Sequence, residues 1–215
     1  MELGDYTRII RRRGWLIILL AVLTAGAAFG FSRMQDTVYK SALKLLVRPS
    51  RTDFGQAQAA KTLLRGYVAW LDSSYQAAAV IDRLQLDMEP QALKGDVTIA
   101  SDDSSYIIRI DVKNGDPNIA NDIAREWGDR LIQETIRNNA TQRKEDRVEV
   151  VRIDDPVAAL YSPKTSINTA AGLVLGTLLG VIVVFLLEWL DSGILRRAED
   201  VERYLNVPVI GSIPG

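Results

Sequence analysis

The 215-residue sequence contains no cysteine and no histidine. The absence of cysteine excludes disulfides, thiolate nucleophiles and cysteine-based metal sites. The absence of histidine removes the commonest general base, the usual zinc ligand and every Ser-His-Asp arrangement. We therefore expect a protein that is not an enzyme, with no catalytic residue, no cofactor and no metal ion.

Neither sign of charge is in excess, because 26 lysine and arginine residues stand against 27 aspartate and glutamate residues. A dedicated nucleic-acid surface needs a clustered excess of basic side chains. The composition therefore predicts no nucleic-acid partner.

Charge is missing altogether from two long runs, residues 14–32 and residues 165–187. At about 1.5 Å per residue, a helix of either length crosses the roughly 30 Å hydrocarbon core of a bilayer. The second run also lacks the polar face that a buried core helix normally shows. Both runs are predicted to be transmembrane helices, which makes the membrane one partner of the protein.

The first run is preceded by a short basic stretch that contains Arg8, Arg11, Arg12 and Arg13. Positively charged flanks tend to stay on the cytoplasmic side of a membrane. We therefore expect residues 1–13 and residues 188–215 to be cytoplasmic and residues 33–164 to form an extracytoplasmic domain.

A cleaved signal peptide is the alternative for the first run, since Ala25-Gly26-Ala27 resembles a small-residue cleavage site. The run is longer than a typical signal core and continues through Phe29 and Phe31. These features favour an uncleaved anchor.

Both runs carry glycines at helical spacing, and these are Gly26 and Gly30 in the first and Gly172, Gly176 and Gly180 in the second. Small residues four apart let helix backbones approach closely in lipid. The pattern predicts packing of the two spans on each other or on neighbouring protomers. Glycine is also common in membrane helices without such a role.

The residues between the spans predict an α+β domain with a mixed sheet and one long helix. Strands are expected at residues 39–47, 97–100, 106–112 and 148–153, and helices at residues 57–71, 74–84 and 117–142. Asp116 and Pro117 are a typical N-cap and first helical residue for the long helix. Ile119, Ile123, Trp127 and Leu131 are predicted to form its apolar stripe, which Ala120, Ala124, Ile132 and Ile136 widen. Because the first and last strands adjoin the two spans, we expect them to pair.

Two charged features have a functional and a structural interpretation. The basic end of the long helix, with Arg137, Arg143, Lys144 and Arg147, could touch a polyanionic glycan, but cations are also favourable at any helix C-terminus. The pairs Asp102-Asp103 and Asp154-Asp155 could hold a divalent cation, but such pairs are common in turns.

Pro156 and Pro163 flank an apolar stretch directly before Lys164 and the second span. Two prolines prevent one continuous helix from the domain into the membrane, so we expect an extended segment along the base of the domain.

The tail after residue 187 ends in a short amphipathic helix and an apolar segment that contains two prolines. Such a segment has no core of its own to join, so we expect it to dock on a partner. The predicted contact residues are Tyr204, Val207, Pro208, Val209, Ile210, Gly211, Ile213 and Pro214.

Taken together, these motifs resemble Wzz-type polysaccharide chain length determinants. The resemblance is carried by residues 1–13, by Tyr39-Lys-Ser-Ala, by Asp116-Pro117, by Ser162-Pro163-Lys164 and by the tail residues 198–214. It covers essentially the whole chain, and the order and spacing of the motifs are more specific than any single one. One departure is that Ala159 stands roughly where the family usually has a further proline.

The resemblance implies a homo-oligomeric, multi-pass protein of the bacterial plasma membrane that acts in capsule or exopolysaccharide synthesis. It implies partners in the polysaccharide polymerase or the nascent glycan, and a cytoplasmic tyrosine kinase that the tail binds and activates. The sequence contains no G-x-x-x-x-G-K-[ST] motif, so it is similar to the split type, whose kinase is a separate chain.

Three alternatives stay open at the level of sequence. The chain is the N-terminal part of a fused tyrosine autokinase, a two-span sensor of an extracytoplasmic ligand, or an enzyme that acts on glycan through paired carboxylates.

Overall fold

The computed structural model describes residues 3–50 and 54–192, and the chain divides into two units. One unit contains the first and last helices, and the other is Asp36–Pro163. All eight predicted contact residues of the tail lie outside the described residues.

The helical unit consists of α1 (Leu3–Met34) and α6 (Thr165–Ser192). Both helices are long and apolar enough to cross a membrane, over Arg11–Met34 and Thr165–Asp191. The predicted pair of spans around an α+β region is therefore confirmed in length and composition.

The second unit contains four helices and five strands in the described residues. In chain order these are β1 (Val38–Pro49), α2 (Phe54–Leu71), α3 (Ser74–Leu84), α4 (Pro90–Asp96), β2 (Val97–Asp102), β3 (Ile107–Asn114), α5 (Pro117–Thr141), β4 (Val148–Arg152) and β5 (Val157–Ser162). A single 3-10 turn, Lys144–Asp146, precedes β4.

The strands form one antiparallel sheet in the order β2-β3-β1-β4, with β5 also paired to β1. The expected mixed sheet is wrong. Strands β3 and β4 are parallel to each other and are joined by the crossover helix α5, which is the pattern that predicts parallel neighbours. Strand β1 lies between them and is antiparallel to both, so every neighbouring pair is antiparallel.

The predicted pairing of the first and last strands is confirmed, and it extends further than expected. Strand β1 pairs with β3 along one edge, while its other edge pairs with β5 from Val38 to Ala42 and with β4 from Leu45 to Pro49. The backbone N–H of Ile153 donates to the carbonyl of Lys44 between the two. The segment expected to lie along the base of the domain is therefore a strand. The two flanking prolines argued against a strand in the sequence, although prolines are tolerated at strand ends and sheet edges.

One face of the sheet forms the hydrophobic core. Leu43, Leu45 and Val47 alternate inward on β1, and their apolar cross-strand partners on β3 and β4 are also buried. Helix α5 packs over this face, and the indole Nε1 of Trp127 donates to the carbonyl of Leu71 at 3.1 Å. The core therefore has two layers, a sheet and its covering helices.

The apolar stripe of α5 differs in part from its prediction. Ile119 is 37% exposed and Ile136 is 63% exposed, whereas Ala120, Ala124 and Thr135 are buried. Residues four apart on a helix rotate by about 40° relative to each other, so a strict four-residue series drifts away from the core face.

Helix caps follow the predicted chemistry. The side chain of Ser73 accepts a hydrogen bond from the N–H of Gln76 at the start of α3, and that of Asp116 accepts from the N–H of Asn118 at the start of α5. Helix α4 lies outside the predicted elements; Pro90 begins it and Leu93 is buried in the core.

Gly128 offers a test of the packing between α5 and the sheet. An added Cβ there would overlap with Leu43, whereas an added Cβ at Gly66, within α2, would meet nothing within 4 Å. Gly128→Val is expected to destabilise the domain by about 1–3 kcal/mol through overpacking. Gly66→Ala should leave stability unchanged or raise it by up to about 1 kcal/mol, because alanine favours the helix. Denaturant unfolding followed by tryptophan fluorescence checks both, and equal midpoints for wild type and Gly128→Val would contradict this packing.

Candidate functional site

The three glycines of α6 lie against α1. An ideal Cβ on Gly172 would be 2.7 Å from the Cβ of Ala28, and one on Gly180 would be 2.7 Å from the Cα of Ile17. An ideal Cβ on Gly176 would be 2.8 Å from the Cα of Ala21. These separations are too short for any side chain, so the glycine series lets the two backbones touch.

Gly26 and Gly30 are placed differently. An added Cβ on either would meet nothing within 4 Å. The residues of α1 that contact α6, such as Ala21 and Ala28, lie on the other side of the helix. The glycines of α6 therefore lie against α1, whereas the glycines of α1 lie on the face of that helix that points away from α6.

Polar contacts also join the two helices, and the sequence interpretation missed them. The hydroxyl of Thr24 donates to the carbonyl of Gly172 at 2.9 Å as well as to its own helix. Near the ends of the helices that adjoin the domain in sequence, the amide of Asn168 donates to the buried hydroxyl of Ser32 at 3.1 Å, and Ser32 donates to Thr165. The polar side chains within the two apolar runs could have indicated these contacts, since polar groups in lipid need hydrogen-bond partners.

At the opposite end of the helix pair, Arg13 forms an ion pair with Asp191 and lies 3.8 Å from a carboxylate oxygen of Glu188. The side chain of Arg13 is largely buried in this contact. One of the predicted cytoplasmic arginines therefore joins α1 to the last turn of α6.

The proline segment contains β5. Pro156 is buried directly before the strand, and Pro163 follows it after a cis peptide bond. In the helical unit, Lys164 is exposed, and its carbonyl accepts a hydrogen bond from the N–H of Asn168. The two prolines thus delimit the strand that pairs with the start of β1.

The second face of the sheet is charged, and none of the described helices of the same unit, α2 to α5, packs on it. Its side chains alternate with those of the core along each strand. The basic ones are Lys40, Lys44, Arg48, Arg109 and Lys113, and the acidic ones are Asp102, Asp111 and Glu149. We call this surface the basic face.

Asp111 organises the centre of the basic face. Its carboxylate accepts from Lys40 at 2.8 Å and from Arg109 at 2.9 Å. Burial alone would raise the pKa of Asp111, but the hydrogen bonds and charges of Lys40 and Arg109 outweigh it, so the pKa lies below its usual value. The carboxylate therefore stays ionised and holds both cations in place.

The two acidic pairs lie where strands end: Asp102 is the last residue of β2 and Asp103 begins the turn to β3, while Asp154 and Asp155 connect β4 to β5. The hydroxyls of Ser104 and Ser105 donate to Asp102, which lowers its pKa to about 2. Asp155 pairs with Arg152 at 3.1 Å. Within residues 3–50 and 54–192, no group of three acidic side chains is arranged to hold a metal ion.

Comparison with known proteins gives one family and several relatives. Residues 1–84 match the profile of the family described as Wzz, chain length determinant protein. The probable capsular polysaccharide biosynthesis protein YwqC of Bacillus subtilis is 27% identical over 92% of this chain and 80% of its own length. The capsular polysaccharide biosynthesis proteins CpsC of Streptococcus pneumoniae and CapA of Staphylococcus aureus are 23% and 25% identical, over 96% and 92% of this chain and 91% and 90% of theirs.

The different environments of the glycines predict different effects of one substitution. Gly176→Leu should separate α1 from α6, because the new side chain would overlap with α1. Gly26→Leu should not, because an added Cβ at Gly26 meets no atom within 4 Å. Since the chain contains no cysteine, Ser32→Cys with Thr165→Cys places one pair of thiols between the helices, where the two native hydroxyls are 3.3 Å apart. We expect disulfide formation in this background to fall severalfold with Gly176→Leu and to be unchanged with Gly26→Leu. Equal crosslinking in both variants would contradict the observed helix contact.

Proposed function

We infer that this chain, whose first 84 residues match the profile of the chain length determinant family, is a non-enzymatic subunit of the machinery that makes a capsular polysaccharide or exopolysaccharide. The observation that carries the proposal is the extent of the alignments. They cover 92% and 96% of this chain for YwqC and CpsC, so they include both apolar helices and the domain between them.

The proposed location is the plasma membrane of a bacterium, with both termini in the cytoplasm. The basic residues in the first turns of α1 favour the cytoplasm. Since two spans return the chain to its starting side, residues 188–215 would then be cytoplasmic and Asp36–Pro163 would face outward. The ion pair of Arg13 with Asp191 is consistent with helix ends on one side of the membrane.

The proposed action is structural rather than catalytic. The carboxylates considered as catalytic pairs have structural partners, since Asp102 accepts from serines of its turn and Asp155 pairs with Arg152. We propose that several copies assemble around the polymerase or the nascent glycan and influence the length of the product. The outward glycines of α1, Gly26 and Gly30, offer a close contact for a neighbouring copy.

The cytoplasmic tail is proposed to bind and activate a separate tyrosine kinase. Residues 207–213 are apolar and contain Pro208, which restricts the backbone and reduces the entropy lost on binding. An extended apolar segment of this kind can add to a sheet edge or fill a groove of its partner.

The length distribution of the polysaccharide tests the proposed function. We expect deletion of the gene to shift or collapse the distribution on the cell surface and in the medium. The intact protein should restore it, whereas a protein that ends at Leu187 should not, because it lacks the tail. Gel electrophoresis of the purified polymer measures the distribution, with membrane insertion of the shortened protein as a control. An unchanged distribution in the deletion strain would refute a role in chain length.

The tail contact predicts a specific loss. Replacing Val209 and Ile210 with aspartate should abolish stimulation of kinase autophosphorylation, because charges cannot enter an apolar groove. Val157→Asp makes the same kind of change at a side chain that is 75% exposed in the outer domain, and it should preserve stimulation. Both proteins should insert into the membrane as wild type does. Full stimulation by the double variant would exclude this segment as the contact.

A further inference from the structure

A cavity opens at the end of the sheet where β1 begins and where β3 and β5 end. Its volume is about 470 Å³, within the usual range for ligand pockets. It is lined by Asp96, Lys113, Asn114, Gly115, Tyr161 and Ser162. We call it the Tyr161 pocket, and all of its lining belongs to the outer domain.

The ring of Tyr161 lies close to two cations. The ammonium group of Lys113 lies 5.0 Å from the ring centroid and that of Lys40 lies 5.8 Å from it. Such contacts are attractive because the ring face is electronegative. The ring is still 40% exposed, so it also presents apolar surface to the pocket.

The two lysines differ in their other contacts. Lys40 is bound to Asp111 at 2.8 Å, whereas Lys113 has no ion pair within the described part of the chain. The pocket therefore contains an ammonium group whose observed partner is an aromatic ring. An anionic ligand would supply the carboxylate that this group lacks.

Two further side chains can recognise hydroxyl groups. The side-chain oxygen of Asn114 accepts from the N–H of Asp116 at 2.9 Å, and its amide nitrogen remains a donor. Asp96 is exposed at the pocket and provides an acceptor. An aromatic face, an ammonium, an amide donor and a carboxylate acceptor suit a ring that has an apolar face, an acidic group and several hydroxyls.

We propose that the Tyr161 pocket binds an acidic sugar unit of a polysaccharide, with the carboxylate of the sugar on Lys113 and its ring against Tyr161. The proposal rests on the proposed function, which brings a polysaccharide to this domain. Inorganic phosphate fits less well, because Asp96 would repel it and Tyr161 would gain nothing from it.

The basic face extends the same surface beyond the pocket. Lys40, Lys44 and Arg48 are spaced four residues apart on the same face of β1, and the distance from the first to the last is roughly 26 Å at about 3.3 Å per residue. Arg109 and Lys113 flank them on β3. The length and positive charge of this row match an extended polyanionic polysaccharide. Further acidic sugar units of the same polysaccharide would therefore lie along β1.

Binding of trigalacturonate tests the proposal, with maltotriose as the neutral sugar of equal length. The full chain in nanodiscs of neutral phosphatidylcholine is titrated by calorimetry at low salt. We expect trigalacturonate to bind and maltotriose to bind at least tenfold more weakly. Tyr161→Ala and Lys113→Gln should each weaken trigalacturonate binding by roughly tenfold. Arg65→Gln, on α2 beside the turn between β2 and β3, removes an exposed charge at the other end of β3 and should have no effect.

Conservative variants separate binding from folding. Tyr161→Phe keeps the ring and Lys113→Arg keeps the charge, so both should bind trigalacturonate nearly as wild type does. Absence of binding by the wild-type chain, equal binding of maltotriose, or unchanged binding by Tyr161→Ala would each overturn the proposal. So would competition by inorganic phosphate at concentrations comparable to trigalacturonate.

The outcomes also separate this proposal from the function on which it rests. If deletion of the gene shifts the polymer length but trigalacturonate does not bind, only the sugar site is refuted. If the sugar binds but deletion leaves polymer length unchanged, the site stands and the role in chain length is refuted.

Discussion

The hydrogen bonds of strand β1 hold the unit Asp36–Pro163 together. Among the described strands, β3, β4 and β5 each pair with β1, and only β2 does not. A strand that has neighbours on both edges satisfies its backbone groups without water, and its side chains serve both faces of the sheet. Because β1 is the first strand and β5 the last, the chain enters and leaves the domain at paired positions, Val38 and Ser162.

The two faces of β1 have different roles: one builds the hydrophobic core and the other carries charged side chains. On one face, Leu43, Leu45 and Val47 are buried under α5 and build the core. On the other, lysines and arginines alternate with smaller side chains, and Asp111 fixes two of the cations. The same alternation that forms the core therefore presents a row of positive charge, which suits an acidic polymer better than a neutral one.

The helical unit depends on the close approach of the α1 and α6 backbones rather than on the packing of large side chains between them. Gly172, Gly176 and Gly180 remove side chains where the helices meet, and this proximity lets Thr24 reach a carbonyl of the other helix. Without a hydrophobic driving force between helices in lipid, such contacts and the van der Waals packing around them provide the association. Arg13 adds a charge contact near one end of the pair. The pair is thus specified by a few positions of small or polar residues.

Local patterns in the sequence determined the two apolar helices, the capped helices α3 and α5, and the hairpin of β2 and β3, because each depends on periodicity or on neighbouring residues. Tertiary structure decided the rest. It placed β1 between β3 and β4, which made the sheet antiparallel, and it recruited the proline-flanked β5 as an edge strand. It also determined which glycines lie against the other helix. It placed the ammonium group of Lys113 5.0 Å from the ring centroid of Tyr161. These outcomes depend on contacts between residues distant in the chain, which no local pattern encodes.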